Sequence, residues 1–370
     1  MKSVAEMVVE KAHELGFTLV GFARLRRLDE REAVFRRWFD RRHHATMAYL
    51  ARDPERRFDP RRLNSKYRSV ISLGYPYAAP ATPKIDWAGE LRGRIAAYAL
   101  GRDYHDVVLK RARAVGDAIK RIRPGTVTRS YVDTGPVFER DWGASARIGW
   151  FGKNTMILNR ERGSYFFLAE IFTDIEFDAP AEPYRDHCGT CRKCLDLCPT
   201  GALQDGYMMD SRICISYLTI ENRGPIPHEL RPAIGNWIFG CDICNDVCPW
   251  NDGKSRELPI DDFAPYLPDL MAIDDAGFGL RFTVSAIKRA KRRGLLRNAA
   301  VVLGNSKNPV AIPALARAVE SEPEPLVRSH SAWALGQIGT AAARKSLEWA
   351  RKRDPDPAVR AEASDALDKI

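Results

Sequence analysis

Cysteine is absent from this 370-residue chain everywhere before Cys188 and after Cys248. Long apolar runs are missing too: no stretch reaches the roughly eighteen residues that a membrane-crossing helix needs. The opening MKSVAEMVVEKAHELG lacks the apolar core of a secretory signal. Together these absences argue against a membrane protein and against a small secreted domain stapled by disulfides. Acidic residues are in deficit, with 48 Asp and Glu against 58 Lys and Arg, a net charge of +10. That excess suits a polyanionic partner, although a solvated basic surface explains it equally well. An apolar content of 45% and a charged content of 29% are those of an ordinary globular protein long enough for two or three domains.

What is present is concentrated. All eight cysteines fall between Cys188 and Trp250. The segment opens with Cys188, Cys191, Cys194 and Cys198-Pro199 and closes with Cys241, Cys244 and Cys248-Pro249, with Cys214 between. The first run is the bacterial ferredoxin pattern, in which the fourth cysteine serves the other of two clusters. Crossed ligation follows: Cys188, Cys191, Cys194 and Cys248 on one 4Fe–4S cluster, and Cys198, Cys214, Cys241 and Cys244 on the other. Structural zinc pairs two separate knuckles and fits this tight run poorly. Oxygen-sensitive clusters and the lack of an export signal lead us to expect a cytoplasmic protein without membrane attachment.

Around this segment the pattern is mixed. Ser3 and Glu6 form a capping box ahead of Val4, Met7, Val8, Ala12 and Leu15 at helical spacing. Strands are expected at Phe17–Ala23, Ser69–Tyr77 and Thr126–Val132, and helices at Asp29–Arg42, Asp103–Ile122 and Glu139–Arg147. Thr155–Leu158 and Tyr165–Phe172 read as a hairpin. Such alternation predicts an α/β or α+β core domain. After about Ser285 the pattern is purely helical. Leu296-Arg297, Val327-Arg328 and Val359-Arg360 recur at spacings of 31 or 32 residues, the signature of a short HEAT-like array. We therefore partition the chain as 1–180 core, 181–255 ferredoxin-like double-cluster segment, 256–284 linker and 285–370 helical repeat. The array is either a stability cap or a docking surface. Its basic run of Lys288, Arg289, Lys291, Arg292 and Arg293, flanked by Arg281 and Arg297, favours docking to nucleic acid.

Clusters alone make an electron carrier, which has no need of a large α/β domain, so that domain should hold an acceptor or substrate. Asp133 is the best candidate: it ends a predicted strand, where open α/β sheets place ligands, and Thr134-Gly135-Pro136 then turns the chain. Its alternative is an aspartate that caps the next helix.

Several further motifs carry a resemblance. Tyr131 to Pro136, Glu139-Arg140, Gly149 to Asn154, Gly163 to Tyr165, Gly101 to Asp106, Arg212 to Tyr217 and Gly240 to Asp242 resemble, with the cysteine run, the epoxyqueuosine reductase family. The resemblance covers nearly the whole chain. It implies conversion of epoxyqueuosine to queuosine at the tRNA wobble position, with two 4Fe–4S clusters and a cobalamin held in a domain like that of reductive dehalogenases. It implies Asp133 as proton donor, and Arg57, Tyr98, Asp133, Lys153, Asn154, Ser164, Ser216 and Asp242 as cobalamin contacts. Keeping Asp133 protonated at neutral pH takes about 4 kcal/mol, which burial under a corrin would supply. Partners expected are a tRNA anticodon arm and an external electron donor, with the protein acting as a monomer. Asp103-Tyr104-His105 superficially matches a histidine-on-cobalt motif, but Val108 replaces its glycine and we expect no such ligand. The competing readings are a dehalogenase-like enzyme for small molecules and a non-catalytic iron–sulfur carrier or tRNA-binding module. The first usually carries a twin-arginine signal, absent here; the second would bind no cobalamin.

Overall fold

The stretch Val70 to Leu73 becomes part of an inner strand of a sheet. The computed structural model describes residues 2–81, 85–179, 182 and 184–370, so the expected domain boundary at residues 180 and 181 lies outside the described residues. Two compact units emerge, each from separate stretches of chain. The first comprises Met1–Ala79, Arg102–Arg212 and Ile243–Ser255, and the second Pro80–Gly101, Ile213–Asp242 and Arg256–Ile370. The sequential partition is thus cut across, and the cysteine segment contributes to both units.

The first unit is built on a four-stranded sheet of β1 (Leu19–Arg24), β2 (Ser69–Pro76), β3 (Thr128–Tyr131) and β4 (Phe166–Thr173), in the order β1-β2-β4-β3. Every pairing is antiparallel. Helices α1 (Val4–Glu14) and α3 (Tyr104–Ile122) cover one face, where Val8, Ala12, Val108, Val115 and Ile119 bury Ile71, Leu73, Ala169 and Ile171. The other face receives α4 (Glu139–Ser145), whose Trp142 packs with Val70 and Phe172. The capping box forms as expected, with Glu6 N–H donating to Ser3 Oγ and Ser3 N–H to Glu6 Oε2. Among the described residues no helix is long and apolar enough to cross a membrane.

Two expectations change. Tyr165–Phe172 does not form a hairpin with Thr155–Leu158: β4 is a central strand between β2 and β3, while Ile157–Leu158 pairs with Trp150–Phe151. The local turn exists only as an isolated bridge between Asn159 and Gly163. Asp133 follows an edge strand of an antiparallel sheet, so the ligand-site rule for parallel sheets does not account for its position.

In the second unit, α5 (Lys291–Ser306), α6 (Ile312–Ser321), α7 (Pro325–Ile338), α8 (Ala341–Arg353) and α9 (Pro357–Leu367) form the repeat array. Pro325 and Pro357 each stand at the start of a helix, where a missing N–H costs nothing. Gly304 and Gly336, 32 residues apart, let successive helices approach: a Cβ on Gly304 would lie 2.8 Å from Ala334 Cα, and one on Gly336 2.7 Å from Ala366 Cβ.

The repeat arginines turn inward, and this corrects the nucleic-acid assignment. Arg297 is fully buried and donates to the carbonyls of Leu218, Asn222 and Gly224. Its repeat equivalents do the same locally, Arg328 to Glu322 and Pro323 and Arg360 to Asp354 and Pro355. Arg292 is buried against Glu322, with bonds of 2.8 and 2.5 Å, and donates to Ile273 O. Neither Arg292 nor Arg297 is available to a phosphate, because buried guanidinium groups must be paired and these are. Arg281, Lys288, Arg289, Lys291 and Arg293 remain exposed. Replacing Arg297 by Ala orphans several carbonyls and should cost about 3 kcal/mol, whereas Arg293→Ala should cost under about 0.5 kcal/mol. Urea unfolding of both variants checks this contrast.

Candidate functional site

Three segments of the first unit converge on Asp133. Past β3, the Thr134 N–H donates to Val132 O at 2.5 Å and closes a three-residue turn with Asp133 at its centre. Asp133 sits at φ +55°, a left-handed conformation that a residue with a side chain holds only when its surroundings enforce it. Glu139, the first residue of α4, supplies that enforcement by accepting the Asp133 N–H on Oε1 at 2.6 Å.

The side chain is held from the start of α3. Tyr104 OH donates to Asp133 Oδ2 at 2.6 Å, and His105 Nε2 lies 3.1 Å from the same oxygen. The other imidazole nitrogen, Nδ1, lies 2.7 Å from Asp103 Oδ1. Asp103 is buried and caps α3 by accepting the His105 N–H on that oxygen at 3.1 Å. One carboxylate therefore ends the helix and orients the imidazole. Tyr104 is stacked flat on Phe167 of β4, with ring centres 4.3 Å apart.

This arrangement relocates the proton expected on Asp133. Burial raises the Asp133 carboxyl, but hydrogen bonds from His105 and Tyr104 and the nearby charge of Arg140 outweigh it, and the net shift is downward. Burial lowers His105, yet its bonds to Asp133 and Asp103 prevail and the imidazole is shifted upward. The two form a carboxylate–imidazolium pair rather than a neutral acid beside a neutral base. Asp133 keeps 59% of its side-chain surface accessible because it faces a cavity, so burial alone does not hold it neutral. Glu139, by contrast, is pushed up to about 8 by burial and by the charge of Asp133. Beneath it, fully buried Glu170 accepts only from Ser72 among the described residues and is driven well above the ordinary range by desolvation and by Glu139.

Asp133 opens onto a cavity of about 570 Å³ walled by Arg31, Phe35, Trp38, Tyr49, Arg57 and Phe151. Helix α2 (Asp29–Asp40) has no fully buried residue, so its aromatic stripe faces this cavity. Trp38 is anchored through Nε1–H to Met209 O at 2.7 Å, and Arg31 by Asp141 at 2.5 Å. Arg57 donates to Gly135 O at 3.2 Å, while its buried Nε has no partner among the described residues. Aromatic faces beside guanidinium groups suit a flat heteroaromatic ring. The orphaned Nε fits an amide-fringed cofactor, the cobalamin implied by the sequence.

The remaining assigned residues are distributed between the units. In the first, the thiols of Cys188, Cys191 and Cys248 lie close enough to Cys194 to help push it up to about 11, after burial itself. That is the grouping predicted for one cluster, an all-thiol donor set that suits iron–sulfur chemistry. Lys153 clamps the adjoining loop through the carbonyls of Gly189 and Cys191. Asn154 and Ser164 are buried in a network with Asn245 and Asn251 that braces the Cys244–Cys248 turn. Cys198 and Cys244 belong to the first unit, Cys214 and Cys241 to the second. In the second unit the Asp242 carboxylate accepts the Ala97 N–H at 2.6 Å, Tyr98 packs near Phe239, and Ser216 is the second residue of the short helix Ile215–Ile220. Sequence reasoning assigned no role to Tyr104, Glu139, Arg140 or the aromatic face of α2. A half-exposed aromatic stripe on an otherwise charged helix was the available signal for the last.

Comparison with known proteins adds a consistent picture. Residues 187–251 match a family described as a 4Fe-4S double cluster binding domain, 57–134 one described as epoxyqueuosine reductase QueG, and 281–368 HEAT repeats. The chain is 40% identical over 346 residues to the epoxyqueuosine reductase of Pseudomonas aeruginosa, covering 91% of this chain and 95% of that protein. Identity to the Escherichia coli epoxyqueuosine reductase is 38%, over 91% of this chain and 90% of the relative. Among solved structures, an epoxyqueuosine reductase with a tRNA-Tyr epoxyqueuosine-modified stem loop superposes with a TM-score of 0.91 at 32% identity, covering 98% of each chain. The Bacillus subtilis enzyme, described with its catalytic aspartate loop swung out of the active site, gives 0.90 at 31% identity over 99% of this chain and 98% of that one.

The imidazolium pair has a measurable consequence. With its folded pKa above the unfolded value, His105 contributes stability that is complete below the unfolded pKa and is lost as pH rises through the folded one. Titration by ¹H–¹⁵N NMR should place His105 above a free histidine, and Asp133→Asn should move it down.

Proposed function

The chain belongs to the epoxyqueuosine reductase family, and from this we propose that it reduces epoxyqueuosine to queuosine at the wobble position of tRNA anticodons, the last step of queuosine biosynthesis. The observation that carries the reading is identity of 40% across 95% of a curated epoxyqueuosine reductase, combined with a cavity that presents Asp133 on an enforced turn. Removing the epoxide oxygen as water takes two electrons and two protons. When bound, the clusters and cobalamin supply stepwise electron delivery and a strongly reduced cobalt centre.

The chain's own part is to bind, orient and protonate. Cys188, Cys191, Cys194 and Cys248 hold one cluster, and Cys198, Cys214, Cys241 and Cys244 the other. Arg57 offers its unpartnered Nε–H to a cofactor amide, and Lys153, Asn154 and Ser164, with Tyr98, Ser216 and Asp242, complete the cobalamin contacts. The aromatic wall of Phe35, Trp38 and Tyr49 receives the modified base, and Asp133 passes a proton to the departing oxygen. Arg281, Lys288, Arg289, Lys291 and Arg293 meet the tRNA backbone. The protein works in the cytoplasm as a monomer, with an external one-electron donor.

Asp133→Asn should retain iron, cobalamin and tRNA binding but lose queuosine formation, scored by mass spectrometry of the product tRNA. Near-normal turnover would remove Asp133 from the chemistry. Exchanging Lys288, Lys291 and Arg293 for Gln should weaken tRNA binding and flatten its dependence on salt. An unchanged slope in a filter-binding series would leave those side chains as solvated surface.

A further inference from the structure

The reaction consumes two protons, yet Asp133 carries at most one and sits at rest as the base of a charged pair. We propose that His105, clamped by Asp103, is the positioning residue that loads the proton onto Asp133, so that Asp103, His105 and Asp133 form a relay. This rests on the reductase reading above and goes beyond it in naming where the proton comes from.

The geometry selects His105 over its neighbours. Its Nε2 lies 3.1 Å from Asp133 Oδ2, the distance of a direct transfer. Its Nδ1 lies 2.7 Å from Asp103 Oδ1, a buried carboxylate fixed by its bond to the His105 N–H. The imidazole is therefore held at both nitrogens. Glu139 also carries a proton near neutral pH, but its Oε1 accepts the Asp133 backbone N–H and does not meet the Asp133 carboxylate in a hydrogen bond. Tyr104 donates to the same Oδ2 and steadies it. The charged or titratable groups around the imidazole are Asp103 and Tyr104 on its own helix terminus and Asp133 on the turn after β3. Behind Asp133 stand Glu139 and Arg140 of α4, and Arg57 lies beside it.

In each cycle the His105 Nε2–H bond breaks and an O–H bond forms on Asp133 Oδ2. The imidazole is left neutral, with its remaining proton on Nδ1 facing Asp103. Asp133 then yields that proton to the substrate oxygen, and His105, with 30% of its side chain exposed, recovers one from water. Two passes deliver the two protons. The two electrons come from the external one-electron donor already named, so that the epoxide becomes an alkene and water.

The test uses the full chain loaded with clusters and cobalamin, reduced, on epoxyqueuosine-bearing tRNA. Wild type should lose activity as pH rises through the His105 pKa, since the relay needs the imidazolium. His105→Gln should lower kcat about a hundredfold with little change in KM, lose that alkaline limb, and regain rate when imidazole is added. Asp103→Asn, an independent variant should His105→Gln not fold, should move the alkaline limb to lower pH. A His105→Gln enzyme with wild-type kcat overturns the relay. So does a slow one that imidazole does not restore while the Asp103→Asn limb stays in place, for that marks a structural role. A wild type that leaves this tRNA unchanged overturns the functional reading, and the relay falls with it.

Discussion

The constraint on which the catalytic unit depends is the turn at Asp133, held from two directions. Its backbone is pinned by Glu139 at the start of α4, and its carboxylate by Tyr104 and His105 at the start of α3. These helices lie on opposite faces of the sheet, so the turn is fixed only once both have packed. A positive φ at a residue with a side chain costs about 1–3 kcal/mol, and that cost is borne where pre-organisation of a reactive group repays it.

The same arrangement separates the local carboxyl groups into distinct states. Asp133 is ionised because it receives two hydrogen bonds from donors, one of them cationic. Glu139 and Glu170 are pushed the other way by burial, Glu139 further by the charge of Asp133 and Glu170 by its proximity to Glu139. Pairs of acids driven apart in this way are a mark of sites that handle protons. Ser72 on β2, directly opposite Glu170 on β4, gives the deepest of these acids its hydrogen bond within the sheet.

In the second unit, basic character serves two ends. The arginine that recurs once per repeat satisfies carbonyls of the loop beside it, a structural role that explains its regular spacing better than any ligand does. Lys291 and Arg293, exposed, flank the buried Arg292 at the start of α5, so that the chain alternates out, in and out there. A basic stretch read as one patch is therefore two sets of residues with opposite surroundings.

Sequence alone determined the features whose cause is local. Cysteine spacing specified a double 4Fe–4S segment, because its ligands stand mostly in short runs of fixed spacing. Helical periodicity placed α1 and α3 to within a residue or two, the recurring motifs announced the helical repeat, and the motifs carried the family. Asp133 was visible as a candidate for the same reason. What tertiary structure decided was the company each residue keeps. His105 and Asp133 stand 28 positions apart, so no local pattern shows that they meet. Arg292 and Arg293 are chain neighbours of equal charge, yet helix packing buries one and exposes the other. Strand β4 chose β2 and β3 over its sequence neighbour because a strand buried along most of its length gains more from two partners inside a sheet than from one at its edge. Protonation follows environment, and the environment of Asp133 is assembled from three distant stretches of the chain.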